Sequence, residues 1–358
     1  MSKWYQGNGK NSDVVLYSKV RLARNLADMP FPNRMSKEIK RSATKKIYAT
    51  LKSSEVAQEF DVIDLSAVSK IKAVSYAEKQ LISADFAKQR ETSAFMLSKD
   101  EDVSIMICEE DHIKINSFAP GQDLDAAYEK ADKIDDIFID NLKIAFSNKL
   151  GFLTASPINL GTGLKASFAL HLPALAQSNA IYKLSAMVGK LGLSLRPLYQ
   201  NGNGDIYILS NQISLGITEK GAIDNANAIC DQIVKQERGA RDQLKDNFEF
   251  EDKLYRTLGI LKSARRLDTP EFLNSISLVR LGISLGYFDI EYKTIGEMLY
   301  TLQNASLIDS AKTPLTEQMC EKLRAEIVRD KKSVQQEGLL CIDLILSHKK
   351  QMRYLTSQ

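Results

Sequence analysis

Up to about residue 238, short apolar runs alternate with polar turns and with stretches of helical spacing. Apolar runs rich in branched and aromatic residues predict β-strands at Val103–Ile107 and at residues 205–209. Apolar positions three to four residues apart predict a helix at residues 221–237. Strands and helices mixed in this way predict an α+β fold for this half of the chain.

From about residue 238 onward, nearly every window has helical spacing. Three of the predicted helices cover residues 250–267, 270–286 and 315–331. The charged segment 236–242 lies where the two patterns meet, so we predict one domain at residues 1–240 and a helical one at residues 241–358. A solvent-exposed helix that runs through segment 236–242 would leave the same pattern.

The composition is that of a large folded protein. Of the 358 residues, 44% are hydrophobic and 26% are charged, which is enough to bury the cores of two domains. A net charge of +3 is too small to indicate a nucleic-acid surface. The first residues are polar, and no apolar run approaches the roughly 18 residues of a membrane span. We therefore expect a cytoplasmic protein that contacts neither nucleic acid nor membrane.

The cysteines and histidines do not predict a metal site. Cys108, Cys230, Cys320 and Cys341 are widely spread without a CxxC pair, which indicates neither structural zinc nor a disulfide scaffold and favours a reducing compartment. We interpret His112 and His171 as structural, because nothing near them in sequence supplies further ligands.

Several segments carry residues suited to phosphate chemistry. Residues 156–165, SPINLGTGLK, are too short for a P-loop, and a tight turn explains them equally well. Lys19 and Arg21 share one face of a predicted strand because side chains alternate along it. Three acids at residues 109–111 interrupt another β-like run and need cationic partners there. Together these features suit a polyphosphate and a cationic acceptor.

These segments resemble motifs of the guanidino (phosphagen) kinase family, most closely its bacterial protein-arginine kinase branch. Residues 17–25 (YSKVRLARN) are similar to S-[SR]-R-[IV]-R-L-A-R-N, and residues 108–115 (CEEDHIKI) to N-E-E-D-H-[IL]-R-I. Residues 156–167 are similar to C-P-T-N-[VL]-G-T-G-L-R-A-S, whereas residues 196–201 match R-G-x-x-G-E poorly. The resemblance implies a catalytic domain with an antiparallel sheet flanked by helices, and an α-helical C-terminal domain of the dimerisation type.

The resemblance also implies transfer of the γ-phosphate of Mg-ATP to a guanidinium nitrogen of protein arginine side chains. It assigns no protein metal ligand. The acceptor side corresponds to Glu110, as catalytic base, with Ser156 and Asn201. The positions on the nucleotide side correspond to Ser18, Lys19, Arg21, Gln80, Lys114, Lys165, Ala166, Ser167 and Arg196.

The chain departs from the family pattern at several of these positions. Lys19, Lys114 and Lys165 replace arginines, so point charges stand in for planar bidentate groups. Asn201 replaces a second glutamate and Ser156 replaces a cysteine, which leaves one acceptor-side carboxylate and no thiol. Asp205 is a weak candidate for the missing carboxylate.

Two functions are consistent with these residues: a protein-arginine kinase of reduced activity, and an inactive pseudokinase that acts as a scaffold or regulatory partner. A kinase for small guanidino compounds is a weaker third. The family resemblance implies a homodimer whose partners include protein substrates, a zinc-binding activator and the Clp protease machinery. Residues 320–325 match the phosphoarginine-binding motif of the branch only at Arg324 and Ala325, so an ordinary amphipathic helix explains this stretch equally well.

Overall fold

The computed structural model describes residues 3–245, 247–312 and 314–330, so that Cys341 lies outside the described residues. Strands occupy much of the first 211 residues. They are β1 (Val15–Arg24), β2 (Phe60–Asp64), β3 (Ala94–Ser98), β4 (Val103–Ile107), β5 (Ile113–Pro120), β6 (Phe146–Ser147), β7 (Gly151–Phe152), β8 (Leu164–His171), β9 (Leu193–Pro197) and β10 (Ile206–Asn211).

Helices flank these strands, and the elements that follow β10 in the described residues are all helices. They are α1 (Lys37–Lys52), α2 (Lys70–Glu78), α3 (Ala84–Lys88), α4 (Leu124–Asn141), α5 (Pro173–Gln177), α6 (Ile181–Lys190), α7 (Glu219–Asp242), α8 (Phe248–Ser263), α9 (Thr269–Leu285), α10 (Tyr292–Thr301), α11 (Asn304–Ala311) and α12 (Glu317–Asp330). Short 3-10 helices lie at Trp4–Gln6, Pro32–Arg34, Ala57–Glu59, Arg90–Thr92, Pro157–Asn159 and Gln200–Asp205.

Local sequence explains where many of these helices begin. A Ser, Thr, Asp or Asn side chain accepts a hydrogen bond from a first-turn amide and satisfies one of the donors that a helix leaves unpaired. The residues that cap helices in this way are Ser36, Ser69, Ser83, Asp123, Thr218, Asn247 and Asp268. Within the described residues, no helix is both long and apolar enough to cross a membrane.

Eight of the strands form one antiparallel sheet in the order β2-β3-β4-β5-β1-β8-β10-β9. The long strand β1 is central and pairs with β5 on one side and β8 on the other. Because its side chains alternate, Val20 and Leu22 join the core on one face while Tyr17 joins the core on the other.

The second core is shared between the sheet and the C-terminal helices. Phe118 of β5 and Ile206 of β10 belong to the same buried cluster as Phe250 of α8, Phe272 of α9 and Leu299 of α10. The helical half therefore packs directly on one face of the sheet.

The elements that the sequence patterns predicted agree with the structure. The predicted strand Val103–Ile107 is confirmed residue for residue, and the helix predicted at residues 221–237 is α7. α7 runs through the charged segment 236–242, where Glu237 and Arg241 are both buried. This segment is a packed helix, unlike a linker.

Candidate active site

Basic side chains from four strands line a cavity of about 350 Å³ on the face of the sheet that carries Tyr17. These side chains are Lys19 and Arg21 of β1, Lys114 of β5, Lys165 of β8 and Arg196 of β9. The strand register explains the convergence, because Arg21 is paired with Lys165 and Lys19 with Ser167. Paired residues on neighbouring antiparallel strands present their side chains on the same face.

The basic groups lower one another's pKa values. Burial, together with the positive charges of Arg21 and Arg196, lowers the pKa of Lys19 to about 7. Burial likewise lowers the pKa of Lys165 to about 8, assisted by Arg21, Arg196 and Lys114. Like charges crowded in a partly buried site favour an anion, since an anion relieves both the repulsion and the desolvation.

Lys19 is held in place by neutral groups. Its Nζ donates to the carbonyl oxygen of Gln80 at 3.1 Å and lies 4.7 Å from the centroid of the Phe118 ring. Gln80 follows α2 with a left-handed φ of 63°, and it also lines the cavity. These two contacts orient the ammonium, and neither of them is an ion pair.

Lys114 is neutralised by two carboxylates. Its Nζ donates to Glu110 Oε2 at 2.8 Å and also forms an ion pair with Glu109. Burial alone would raise the pKa of Glu109, but the charge and hydrogen bond of Lys114 lower it below its usual value. Glu109 also accepts from Ser83 Oγ at 2.8 Å. Two of the three acids at residues 109–111 thus have the cationic partner that the sequence predicts, whereas Asp111 is hydrogen-bonded by neutral groups.

The three predicted acceptor-side residues lie on separate loops beside the cavity. Glu110 follows β4 and its side chain is 43% exposed, so it remains accessible despite its bond to Lys114. Ser156 directly precedes the 3-10 helix Pro157–Asn159, and Asn201 lies in the loop Gln200–Asp205 after β9. None of the three is in the wall of the cavity itself.

Two partly buried contacts join the loop before β8 to the rest of the site. Asn159 Oδ1 accepts from Arg21 Nη2 at 2.7 Å, which orients the guanidinium. Asp111 Oδ1 accepts from the Ala155 amide at 2.8 Å and from Asn25 Nδ2 at 2.7 Å. Ser156 is therefore carried on a loop that is tied to both β1 and the loop after β4.

The loop Gln200–Asp205 is held by helix α9. Four of its residues have left-handed backbone angles, among them Asn201 at φ 57° and Gly204 at φ 77°. The Gly204 amide donates to Asn274 Oδ1 at 2.9 Å, and Ser277 Oγ donates to Asp205 Oδ2 at 3.0 Å. Asp205 is thus turned toward α9, which does not favour it as a second acceptor-side carboxylate.

Ser18 and Ala166 lie on the opposite face of the sheet from the basic cavity. Ser18 Oγ donates to the Gly121 carbonyl and accepts from the Asp123 amide, both at 2.8 Å. The Ala166 amide donates to Asn211 Oδ1, and its side chain is in the other core. Ser167, in contrast, lines the cavity and donates to the Lys19 carbonyl at 3.2 Å.

From the sequence, Asn159, Ser83 and Asp111 were not predicted as site residues. Each of them nevertheless forms a hydrogen bond that holds a site residue or a site loop in position. Asn159 lies within a recognisable motif, which was the available signal. Ser83 lies outside the matched motifs and is brought to Glu109 only by the fold.

Two family sequence profiles match the chain. One, described as ATP:guanido phosphotransferase, C-terminal catalytic domain, matches residues 42–240. The other, described as Protein-arginine kinase McsB C-terminal domain, matches residues 247–338. A protein-arginine kinase of Clostridium acetobutylicum is 39% identical over 337 residues, which are 92% of this chain and 99% of that protein. The chain belongs to the ATP:guanido phosphotransferase family, in its protein-arginine kinase branch.

One more sequence relative supports this ATP:guanido phosphotransferase assignment, and two solved structures support the fold. A protein-arginine kinase of Geobacillus stearothermophilus is 36% identical over 92% of this chain and 93% of its own. The duplicated taurocyamine kinase of Schistosoma mansoni superposes with a TM-score of 0.59 at 24% identity, over 70% of this chain and 37% of that one. A lombricine kinase structure gives 0.57 at 18% identity, over 66% of this chain and 70% of that one. The predicted family fold is confirmed.

Membership of the ATP:guanido phosphotransferase family implies the use of ATP. The basic cavity fits its phosphates, because five basic side chains line it and the two nearby carboxylates both pair with Lys114. In addition, Arg21 Nε is buried without a hydrogen-bond partner among the described residues. Within the same residues, no three His, Cys, Asp or Glu side chains are grouped to hold a metal ion.

Three further residues singled out in the sequence have structural contacts. His112 Nδ1 lies 2.7 Å from Asn25 Oδ1, and burial lowers the pKa of His112 to about 4. His171 Nε2 lies 2.9 Å from Ser277 Oγ. Arg324 is fully buried and donates to the carbonyls of Leu267 and Leu302. The Arg324 guanidinium therefore joins α12 to the end of α10 and to the segment before α9.

Proposed function

We propose that this chain is a protein-arginine kinase, which transfers the γ-phosphoryl group of ATP to a guanidinium nitrogen of arginine side chains in proteins. The observation that carries the proposal is the convergence of five basic side chains around one cavity with an accessible glutamate at its edge. We propose a protein substrate because the relatives that align along nearly their whole length are named protein-arginine kinases.

The basic side chains would hold the phosphates. Arg21 is oriented by Asn159 and keeps Nε for a further acceptor, while Lys19 and Lys165 supply point charges. ATP supplies the phosphoryl group, and the charges around the cavity stabilise the negative charge that develops during transfer. Mg²⁺ belongs to this proposal as the ion of the nucleotide complex, because Mg²⁺ is usually bound through substrate phosphates and few protein ligands.

Glu110 is the proposed base. Its carboxylate would bind the acceptor guanidinium and take the proton that leaves the nitrogen as the new N–P bond forms. Asn201 and Ser156 border the acceptor but bring no charge, so the acceptor is oriented by one carboxylate. We therefore expect slower transfer than in a site with two.

The remaining assignments rest on family membership. We propose a catalytic domain at residues 1–240, a helical domain at residues 241–358 that forms a homodimer, and a zinc-binding activator and Clp protease machinery as partners. A cytoplasmic location is supported by the free thiols of Cys108, Cys230 and Cys320.

Gln80 and Ser167, which also line the basic cavity, complete the proposed nucleotide side.

The test is to incubate the purified protein with Mg-ATP and either an arginine-rich unfolded protein or free arginine, and to quantify phosphoarginine by mass spectrometry under non-acidic conditions. We expect acid-labile phosphoarginine in the protein, dependent on ATP. Phosphorylation of free arginine alone would move the assignment to small guanidino substrates. No transfer to either, from protein shown to be folded, would contradict a kinase and leave the pseudokinase function.

A further inference from the structure

A second, much smaller polar cavity lies between the N-terminal segment and the C-terminal helices, apart from the basic cavity. Its volume is about 20 Å³, and its wall includes Trp4, Ser12, Arg280, Tyr292 and Tyr300. Arg280 comes from α9, whereas Tyr292 and Tyr300 come from α10. A cavity of this size holds one water molecule or one single-atom ion.

Three donors in the wall of this cavity have no hydrogen-bond acceptor among the described residues. They are Arg280 Nε, Trp4 Nε1 and Tyr300 Oη. All three side chains are at least nine-tenths buried, with exposures of 3%, 5% and 2%. Buried donors almost always have a partner in folded proteins, so several together indicate an acceptor bound between them.

The arginines near this cavity differ in whether they have a carboxylate partner. Arg238 pairs with the carboxylate of Asp13 at 2.6 Å, and Arg241 pairs with Glu237 at 2.7 Å. Arg280 forms no ion pair with a carboxylate among the described residues, although Asp13 acts on it electrostatically. Glu101 and Glu297 act on Tyr5 in the cavity wall, and neither is among the groups that act on Arg280.

Among the described residues, the direct contacts of Arg280 are with neutral groups. Its Nη2 donates to the Ser12 carbonyl, and its guanidinium lies 4.6 Å from the centroid of the Tyr292 ring. Burial lowers the pKa of Arg280 to about 10, so the group is still protonated at neutral pH. A buried cation without a carboxylate partner is costly, and a bound anion would remove that cost.

We propose that this cavity binds a single-atom monovalent anion, with chloride as the physiological member of the class. Arg280 would supply the charge, and Trp4 Nε1 and Tyr300 Oη would donate the remaining hydrogen bonds. A water molecule fits the volume but would leave the Arg280 guanidinium without a counter-ion in contact. The anion would join the N-terminal segment to α9 and α10 and so stabilise the contact between the sheet and the helical half.

The proposal predicts stability that depends on chloride. We would measure Tm while sodium chloride replaces sodium gluconate at constant ionic strength, since gluconate is too large for the cavity. Tm of the unmodified protein should rise and saturate. The rise should be absent in Arg280→Met and need at least threefold more chloride in Tyr300→Phe. Arg256→Met, which removes an exposed arginine on α8, should behave like the unmodified protein.

A second measurement needs no substitution and remains available if Arg280→Met does not fold. Crystals of the unmodified protein grown in sodium bromide should show an anomalous peak beside Arg280. Three outcomes would overturn the proposal: no anomalous peak, the same chloride response in the unmodified protein and Tyr300→Phe, or a bromide peak without saturable stabilisation in solution, which is binding at crystal concentration only.

Discussion

Because the basic cavity contains lysines, its charge changes with pH near neutrality, which would not happen with arginines alone. The pKa values of Lys19 and Lys165 are lowered to about 7 and about 8, whereas a guanidinium stays charged throughout this range. At neutral pH the unliganded cavity is therefore only partly protonated. Nucleotide binding should be coupled to proton uptake.

We expect the affinity for ATP to fall as pH rises from 7.5 to 9. Bound phosphates raise the pKa of a neighbouring ammonium. At any pH between the pKa of a lysine in the free protein and its higher pKa in the complex, the complex therefore holds more protons. Binding then weakens as the pH rises, because it requires the uptake of protons. Titration calorimetry in buffers of different ionisation enthalpy measures this uptake directly. Lys19→Arg should reduce it, and equal affinity at both pH values without uptake would contradict the pKa assignment.

Asn201 offers a gain-of-function test at the residue scale. Asn201→Glu should restore a second acceptor-side carboxylate and raise kcat/KM for protein arginine by about tenfold or more, since a positioned carboxylate typically contributes 10²–10⁴-fold. Because Asn201 has a left-handed backbone, the variant should also unfold more easily, by about 1 kcal/mol or more. Asn203→Glu in the same loop is the matched control. An unchanged or lower rate in a folded Asn201→Glu would count against the acceptor-side assignment.

The sequence alone predicts on which face of the sheet each side chain of β1 and β8 lies. It does not predict the contacts between distant segments. Alternation places Lys19 and Arg21 together, and the same rule puts Ser18 and Ala166 on the other face, although linear motifs include them. The bond from Arg21 to Asn159 joins residues 138 apart and depends on the register of the sheet. Such pairs follow from the fold and leave no local pattern.

Helix α9 is a structural support of the proposed acceptor loop. Asn274 and Ser277 on α9 bond the loop Gln200–Asp205, so the helical half fixes the position of Asn201. Helical spacing predicted α9 itself, at residues 270–286. It could not predict which loop the polar face of α9 would contact.

Removing the support at Asn274 should impair the acceptor side more than the nucleotide side. We expect Asn274→Ala to lower kcat for protein arginine by about tenfold, because a displacement of about 1 Å can cost roughly 100-fold, with little change in the KM for ATP. Ser284→Ala on the same helix, whose hydroxyl bonds only the Leu281 carbonyl in its own helix, is the control. Equal effects on both substrates would indicate general loosening of the site.

Helix α7 continues through the charged segment 236–242 because two of its charges form a buried pair. Glu237 accepts from Arg241 Nε at 2.7 Å and from the amides of Ala174 and Leu175. Charge composition cannot distinguish such a pair from a solvated linker. The difference depends on α5 and β8 packing against this turn.

Breaking the buried pair of α7 should be costly. Glu237→Gln leaves Arg241 without its counter-charge and should lower the free energy of unfolding by about 3–5 kcal/mol. Asp224→Asn breaks the exposed pair with Lys220 on the same helix and should cost less than about 1 kcal/mol. Denaturant titration of both variants gives the comparison, and similar small losses would mean that the buried pair contributes little.

On the scale of the whole molecule, the two halves share a hydrophobic core. The order of motifs and the helical texture after residue 238 predicted the family fold and the helical half. They did not predict that Phe118 and Ile206 of the sheet would share a buried cluster with Phe250 and Phe272. Apolar periodicity shows that a face is buried, and it does not identify the partner.

The central claim is that Glu110 removes the proton from a protein arginine held beside the basic cavity. The most direct measurement is the single-turnover rate of phosphoarginine formation at saturating Mg-ATP in the unmodified protein, in Glu110→Gln, and in Glu129→Gln, whose exposed carboxylate lies on α4. We predict at least a 100-fold loss in Glu110→Gln alone, with unchanged ATP binding. An equal rate in all three proteins would contradict the account.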